Sequence, residues 1–420
     1  MNTPKRVCYL DYNATTIMPK IVLDELCKWA TRGNASSTYP SAYKGKALMD
    51  QFRQEISDQG EFSLVGPNGY TIIFTSGGSE ANSWIITSAT RAYAKATGKR
   101  PHIITSNVEH DSIRHLIRDL EQEDVDVTIM PVVNLGSKLG SVDVDKLESY
   151  IKPNTCLISI MAANNETGVI NDMAAIGHIA KRRSIPFHSD AVQLFAKTGI
   201  KPVELNITAF SCSFHKLYGP SGCGLAVVQN SFLEGYNLRP LIAGSQNYGL
   251  RGGTEAIHNI AASRAAFTLN FKNREATNQK IYRLKLYTRK LLSSIFPVMY
   301  LDEFKQLYPN VPATCIVLLT PVDNDENVMG NTIFISIFRH GICNKLIREA
   351  LADEKIYVSI GSACKINDPK ASHVLAAIGV PTELYGGVLR VSLGDYTEKE
   401  DIEKFVVILT NIIRKSAPRA

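Results

Sequence analysis

The sequence predicts an α/β fold, with a mostly parallel sheet covered by helices on both faces and a smaller α+β portion after it. Three observations carry that expectation. Strand and helix signals alternate from about residue 70 to 230, the pattern of successive βαβ units. Glycine-rich turns such as Ser76-Gly77-Gly78 punctuate the alternation. The chain has 420 residues, enough for two domains or for one large α/β domain with an appendage.

The elements follow in order. Tyr70-Thr71-Ile72-Ile73-Phe74-Thr75 is rich in β-branched and aromatic residues and reads as a strand. Ser76-Gly77-Gly78 turns it into a helix from Ser79 to about Ala96. His102 to Thr105 is a strand, with a helix from about Ser112. Val125 to Pro131 and Thr155 to Ala162 are further strands, and Asp172 to Arg183 is a helix. Short strands are expected at Pro186–His188, Ala209–Cys212 and Cys223–Val228. From about Glu255 to 292 the pattern is long and helical, suited to a link into a C-terminal portion that ends in a helix from Asp401 to Arg414. The expected division is a large domain at 15–260 and a small domain at 261–420, completed by residues 1–14.

Composition narrows the function class. Hydrophobic content of 45% and charged content of 20% are those of an ordinary globular protein. The net charge of +6 is spread along the chain, which argues against nucleic-acid binding. No apolar run approaches a membrane span. Met1-Asn2-Thr3-Pro4-Lys5-Arg6 leads into Val7-Cys8-Tyr9-Leu10-Asp11 without a signal-peptide core, so a reducing interior compartment, the cytoplasm, is expected. Eight cysteines are scattered with no CxxC pair, so no metal site is expected from them. Most read as buried small hydrophobes. Cys364 differs, because Gly361-Ser362-Ala363-Cys364-Lys365 opens a loop-like stretch.

In open α/β sheets ligands bind beyond the carboxyl ends of the strands, so strand-end residues are the candidates. Lys216 lies in Ser213-Phe214-His215-Lys216-Leu217-Tyr218-Gly219-Pro220, between an apolar run and a Gly-rich turn. Asp190 and Gln193 stand in Phe187-His188-Ser189-Asp190-Ala191-Val192-Gln193. An amine, a strand-end carboxylate and hydroxyls near glycines suit pyridoxal phosphate (PLP): the lysine forms a Schiff base, and the acid keeps the pyridine nitrogen protonated. Gly78 and Ser79 begin a helix, where free amides and the dipole favour a phosphate. Taken alone, that segment reads equally as an ordinary strand–helix turn capped by Ser79, Asp190 as a helix cap, Asn165 as a turn residue and His110 as a structural histidine. An imidazole at 110 also suits stacking on a flat cofactor and proton movement.

Together the segments resemble the cysteine desulfurases of the NifS/IscS type, in the class V aminotransferase group of PLP enzymes with fold type I. The similarity runs through Tyr9-Leu10-Asp11-Tyr12-Asn13-Ala14-Thr15-Thr16, Gly33-Asn34-Ala35-Ser36-Ser37, Phe74 to Glu80, Asn164-Asn165-Glu166-Thr167-Gly168, His188 to Gln193 and His215 to Pro220. It continues through Arg251-Gly252-Gly253-Thr254-Glu255, Gly361 to Cys364 and Leu389 to Gly394.

The resemblance implies roles. Lys216 binds the cofactor and shuttles a proton, and His110 stacks on the ring. Asp190 pairs with the pyridine nitrogen, with Asn165 and Gln193 near the ring hydroxyl. Gly78, Ser79, Ser213 and His215 hold the phosphate, and Thr254 reaches the phosphate of a second subunit, implying a homodimer. Arg390 clamps the substrate carboxylate, and Asn34 belongs to a segment lining the same pocket. Cys364 is the nucleophile, on a loop of the kind that hands sulfur to acceptor or scaffold proteins. The implied reaction takes L-cysteine to L-alanine, leaves a persulfide on Cys364 and supplies iron–sulfur assembly or tRNA thiolation. A selenocysteine lyase, another class V PLP enzyme, or a PLP-binding scaffold of weak activity are the alternatives the sequence leaves open. The scaffold is suggested by Gly244-Ser245-Gln246-Asn247-Tyr248-Gly249, which departs from the family's Gln-Glu-Arg-Gly. Tyr39, Ala35, Ser221 and Asp395 depart from the family pattern at other positions.

Overall fold

The computed structural model describes residues 7–321, 327–360 and 372–415. Along the described residues run strands β1 (Cys8–Tyr9), β2 (Tyr70–Thr75), β3 (His102–Ser106), β4 (Asp126–Met130), β5 (Thr155–Ser159), β6 (Phe187–Asp190) and β7 (Ala209–Ser213). They are followed by β8 (Gly224–Gln229), β9 (Val298–Tyr300), β10 (Thr314–Leu318), β11 (Thr332–Arg339), β12 (Ile356–Tyr357) and β13 (Val388–Ser392).

Seven strands form the large sheet in the order β2-β8-β7-β6-β5-β3-β4. Strands β3 to β7 are mutually parallel. Strand β8 is antiparallel to both neighbours, β2 and β7. The alternation of elements did not reveal that reversal, because periodicity carries no strand direction. Strand β2 therefore points with the parallel set, and the carboxyl ends of β2, β3, β5, β6 and β7 share one edge.

Side-chain alternation builds two cores on this sheet. Ile72, Phe74, Ile104, Ile158, Leu225 and Val227 pack on one face, with Phe52, Ile56 and Ile176 from the covering helices. Ile73, Ile103, Leu157, Ala226 and Val228 face the other side, against Trp84, Ile85 and Ala89 of helix Gly78–Thr97. Strands β3, β5, β6 and β7 are buried along their whole length, whereas edge strand β4 is only partly covered.

A second sheet has the order β13-β11-β10-β9. Its core includes Ile316, Ile335, Leu389 and the stripe Ile402, Phe405, Val406, Leu409 and Ile413 of helix Lys399–Lys415. Strand β1 pairs with β12 in parallel, and Cys8 and Leu10 enter this second core. Helix Ile257–Ser293 has 37 residues. At 1.5 Å per residue it is about 55 Å long. Its early residues Ile257, Ile260 and Phe267 lie in the first core, and Ile281, Leu284 and Leu292 in the second.

The N-terminal segment stitches the two sheets together. Asp11 bridges to Ser392 at the end of β13. Asn13 N–H donates to Ser392 Oγ (2.9 Å), and Thr16 N–H donates to the His215 carbonyl (2.9 Å). The turn carrying Lys216 and the strand carrying Arg390 are thus both held by residues 11–16.

Candidate active site

A cavity of about 540 Å³ opens at the shared carboxyl edge. It is lined by Gly78 and Ser79 beyond β2, His110 beyond β3, Asn165 beyond β5, Asp190 at the end of β6 and Gln193 in the helical turn after it. Ser213, His215 and Lys216 from the end of β7 and Arg390 from β13 complete the wall. Ten expected residues from six stretches of chain therefore converge where an α/β sheet binds ligands. Asn34 and Thr254 are not among the lining residues. The expectation that Asn34 lines this cavity does not hold within one chain. Its Oδ1 accepts from Ser36 N–H (2.8 Å) and its own N–H donates to Tyr39 Oη (2.8 Å), closing a local turn. Thr254 is exposed. Cys364 lies outside the described residues.

One end of the cavity is built for an anion. Helix Gly78–Thr97 has 20 residues and starts at Gly78 with Gly77 as its cap, so Ser79 sits in the first turn rather than capping it. Free amides and the positive dipole end face the cavity there. A Cβ on Gly78 would lie 2.5 Å from Val192 Cγ2, so only glycine lets this helix start so close to the segment after β6. Ser213 and His215 supply a hydroxyl and an imidazole beside it. Burial, Lys216 and His110 together push the His215 imidazolium down to about 4, so this ring is neutral at physiological pH.

Lys216 is the last residue of the short helix Phe214–Lys216. Its Nζ donates to the carbonyls of Asn13 and Ala14, each at 2.6 Å. Burial first, then the charges of Arg390 and Lys197, lower its ammonium from the ordinary 10.5 to about 7. An amine held there with its proton affinity lowered this far has a substantial neutral fraction near pH 7, the form that attacks a carbonyl.

Asp190 is 5% exposed. It accepts from Asn82 Nδ2 (2.8 Å) and Val192 N–H (3.0 Å), and no ion pair reaches it among the described residues. A buried carboxylate without a cation is unfavourable, so the site calls for a positive group in the cavity. Two buried oxygens near it, Gln193 Oε1 and Asn82 Oδ1, have no hydrogen-bond partner among the described residues. A cationic heteroaromatic ring with polar substituents and a phosphate arm matches this set. The residues present therefore fit PLP.

His110 caps helix Asp111–Gln122. Ser112 N–H donates to its Nδ1 (3.1 Å), so the neutral ring carries its proton on Nε2. Behind it, Glu109 is fully buried and accepts on Oε1 from Ser106 Oγ (2.5 Å) and Met161 N–H (3.0 Å). Burial, reinforced by the Asp190 charge, pushes its carboxyl up to about 8.

Arg390 is 5% exposed. One Nη donates to the Asn165 carbonyl (2.9 Å) and the other to Asp11 Oδ1 (2.8 Å), while Nε is buried without a partner among the described residues. A rigid, pre-oriented fork of this kind suits a carboxylate.

The sequence reading assigned no role to Asp11, Asn13, Asn82 or Glu109. Asn13 sits at the centre of the missed set. Its carbonyl accepts from Lys216 and from Gln193 Nε2 (3.1 Å), and its Nδ2 donates to Thr332 Oγ1 (2.8 Å). A main-chain carbonyl has no sequence signature. The Tyr9-to-Thr16 run was the only available signal.

The aminotransferase class-V family matches residues 8–405. A cysteine desulfurase IscS of Clostridium botulinum strain Hall is 33% identical over 410 residues, covering 97% of this chain and 94% of the relative. The solved structure of a NifS-like protein from Rickettsia africae is 27% identical with a TM-score of 0.79, covering 97% of this chain and 100% of that one. A structure of SspA in complex with cysteine is 28% identical with a TM-score of 0.71, covering 93% and 99%. With its sheet order and its lysine–aspartate–arginine cavity, this chain belongs to the class V aminotransferase family, in its cysteine desulfurase branch.

Proposed function

We propose that the cavity converts L-cysteine to L-alanine and passes the sulfur to Cys364, as a PLP-dependent cysteine desulfurase. The observation that carries this reading is the convergence of Lys216, the unpaired Asp190 and the half-used Arg390 on one cavity. Gly78, Ser79, Ser213 and His215 hold the phosphate, and Asp190 is the counter-charge for the pyridine nitrogen. Asn165 and Gln193 serve the ring hydroxyl, and His110 covers the ring. Bound there, the cofactor supplies an electron sink for the pair left when a proton leaves Cα.

Arg390 binds the substrate carboxylate with the donors it has left. Lys216 takes the proton from Cα and returns it to carbon after the sulfur has gone. The Cβ–S bond of the substrate breaks as a bond forms between that sulfur and Cys364 Sγ. Cysteine and a thiol become alanine and a persulfide, so no outside oxidant or reductant is needed.

Chain length makes the transfer feasible. Ser359 exchanges backbone hydrogen bonds with Arg390 (2.7 and 3.1 Å), and Cys364 is four residues beyond Ile360, a reach of at most about 14 Å. On the other side Ser372 Oγ donates to Glu166 (2.9 Å) and His373 Nε2 donates to the Glu109 carbonyl (3.0 Å). Both flanks are pinned beside the cavity.

The finer readings rest on the resemblance. They are a homodimer in which Thr254 serves the phosphate of the second copy, delivery of sulfur to an acceptor or scaffold protein in iron–sulfur assembly or tRNA thiolation, and a cytoplasmic location. The division into a 15–260 domain and a 261–420 domain completed by residues 1–14 belongs with them. No helix among the described residues is long and apolar enough to cross a membrane. The test is borohydride reduction of the cofactor-loaded protein, together with alanine release from L-cysteine. The wild type retains cofactor covalently and forms alanine, and Lys216→Ala does neither. Wild-type protein that traps no cofactor would refute the assignment.

A further inference from the structure

Lys216 and Arg390 act on the same substrate yet come from different sheets, so something must fix their separation. Tyr218, two residues beyond Lys216, and Asp395, five beyond Arg390, meet in a reciprocal pair. Tyr218 Oη donates to Asp395 Oδ1 (2.5 Å), and Asp395 N–H donates back to Tyr218 Oη (2.9 Å). Tyr218 is 6% exposed and lies among Tyr12 and Tyr396, with ring centroids 6.2 Å away in each case.

The backbone gives an independent sign of constraint. Tyr218 has φ +63°, a left-handed conformation that a bulky residue adopts only when its surroundings hold it there. They do so at both ends: the Oη is tied to Asp395, and the backbone N–H donates to Thr16 Oγ1 (2.7 Å). Thr16 Oγ1 in turn donates to the His215 carbonyl (2.8 Å). Lys280 Nζ donates to the Asp395 carbonyl (3.1 Å), so the acidic side of the pair is also anchored to helix Ile257–Ser293.

We propose that Tyr218 and Asp395 are positioning residues whose mutual hydrogen bonds set Lys216 in line with the Cα proton of a substrate held by Arg390. The proposal rests on the reading of Lys216 as the proton-moving amine. Neither residue lines the cavity, so both act through the Lys216 turn. Losing the pair leaves the aromatic packing of Tyr218 in place but loosens the turn.

The experiment compares Tyr218→Phe, Asp395→Ala, the double variant and Asp395→Asn, all loaded with cofactor. Each is assayed for kcat, for KM, and for the kinetic isotope effect with α-deuterated L-cysteine. Tyr218→Phe and Asp395→Ala are expected to lower kcat about tenfold, equivalent to about 1.4 kcal/mol in the barrier, with KM little changed. Their isotope effect rises above the wild-type value as proton removal becomes limiting, which a loss of folded enzyme would not produce. The double variant is no worse than Tyr218→Phe alone, since Tyr218→Phe already removes both bonds whereas Asp395→Ala keeps the backbone one, and Asp395→Asn, which keeps the acceptor, behaves as wild type. A Tyr218→Phe enzyme with wild-type kcat and isotope effect overturns the proposal, and so do additive losses or losses without an isotope effect. If Asp395→Ala does not fold, Tyr218→Phe and Asp395→Asn decide the question. Failure of the Lys216 reading itself appears separately, as a Lys216→Ala protein that still forms alanine.

Discussion

Replacing Arg390 with lysine keeps a positive charge in the cavity and removes the planar fork. A guanidinium has five N–H donors. Two are used, on the Asn165 carbonyl and on Asp11, and the remaining three include a buried Nε with no partner among the described residues. A substrate carboxylate takes two of those three as charge-assisted hydrogen bonds. Lysine replaces at most one of them while still having Asp11 to satisfy. Losing one such bond, and the geometry of the other, removes about 2–3 kcal/mol of binding in the transition state. That corresponds to roughly a 30- to 150-fold fall in kcat/KM. The assay is initial alanine formation against L-cysteine concentration with cofactor saturating, and melting is recorded in parallel because Asn165 and Asp11 lose a partner. Cysteine methyl ester serves as the control substrate. The wild type discriminates strongly against it, and the variant much less. An Arg390→Lys enzyme within threefold of wild type in kcat/KM, with unchanged discrimination against the ester, would refute the carboxylate role.

Two further predictions concern pH. In cofactor-free protein the Lys216 ammonium is lowered to about 7 from the ordinary 10.5, so between those values the unfolded chain binds more protons and stability rises with pH. Lys216→Met should therefore raise the melting temperature most below pH 7, with a gain that shrinks as pH approaches 10.5; a gain independent of pH contradicts this. Glu109 shifts the opposite way, from 4.5 up to about 8, so its contribution is fully present below pH 4.5 and is lost as pH rises through 8. Glu109→Gln should gain stability relative to wild type over that window, and a relative loss at pH 8 would mean that the carboxylate has a cation the geometry does not show.

The sequence made some parts of this protein legible for definite reasons. Strand Tyr70–Thr75 was readable to the residue, because a β-branched run ends at a glycine turn. Helix Lys399–Lys415 was readable from its apolar stripe. The cavity was readable because its residues sit at strand ends, where topology forces them together. Three features were not. The antiparallel insertion of β8 left no trace, since alternation is blind to direction. The pairing of Asp11 with Arg390 joins residues 379 apart and depends on a β-bridge between termini. Lys216 is held by main-chain carbonyls, which every residue has. Asn34 was expected at the cavity because its own segment, Gly33 to Ser37, resembles the family's, whereas its side chain closes its own turn.

The altered 245–248 segment also gained a physical account. Asn247 Oδ1 accepts from Arg53 and from Phe74 N–H, both at 3.3 Å, and the Arg53 guanidinium lies 5.1 Å from the ring centroids of both Phe74 and Tyr248. The segment is therefore fastened to the large sheet through a cation stacked between two rings, an attachment worth about 0.5–2 kcal/mol.

The most direct test asks where the sulfur goes. Protein loaded with cofactor is given one equivalent of L-cysteine without reductant, and the peptide bearing Cys364 is weighed by mass spectrometry. The account predicts a gain of one sulfur atom on that peptide, matched by one equivalent of alanine. Alanine formed in full while Cys364 stays unmodified would contradict it.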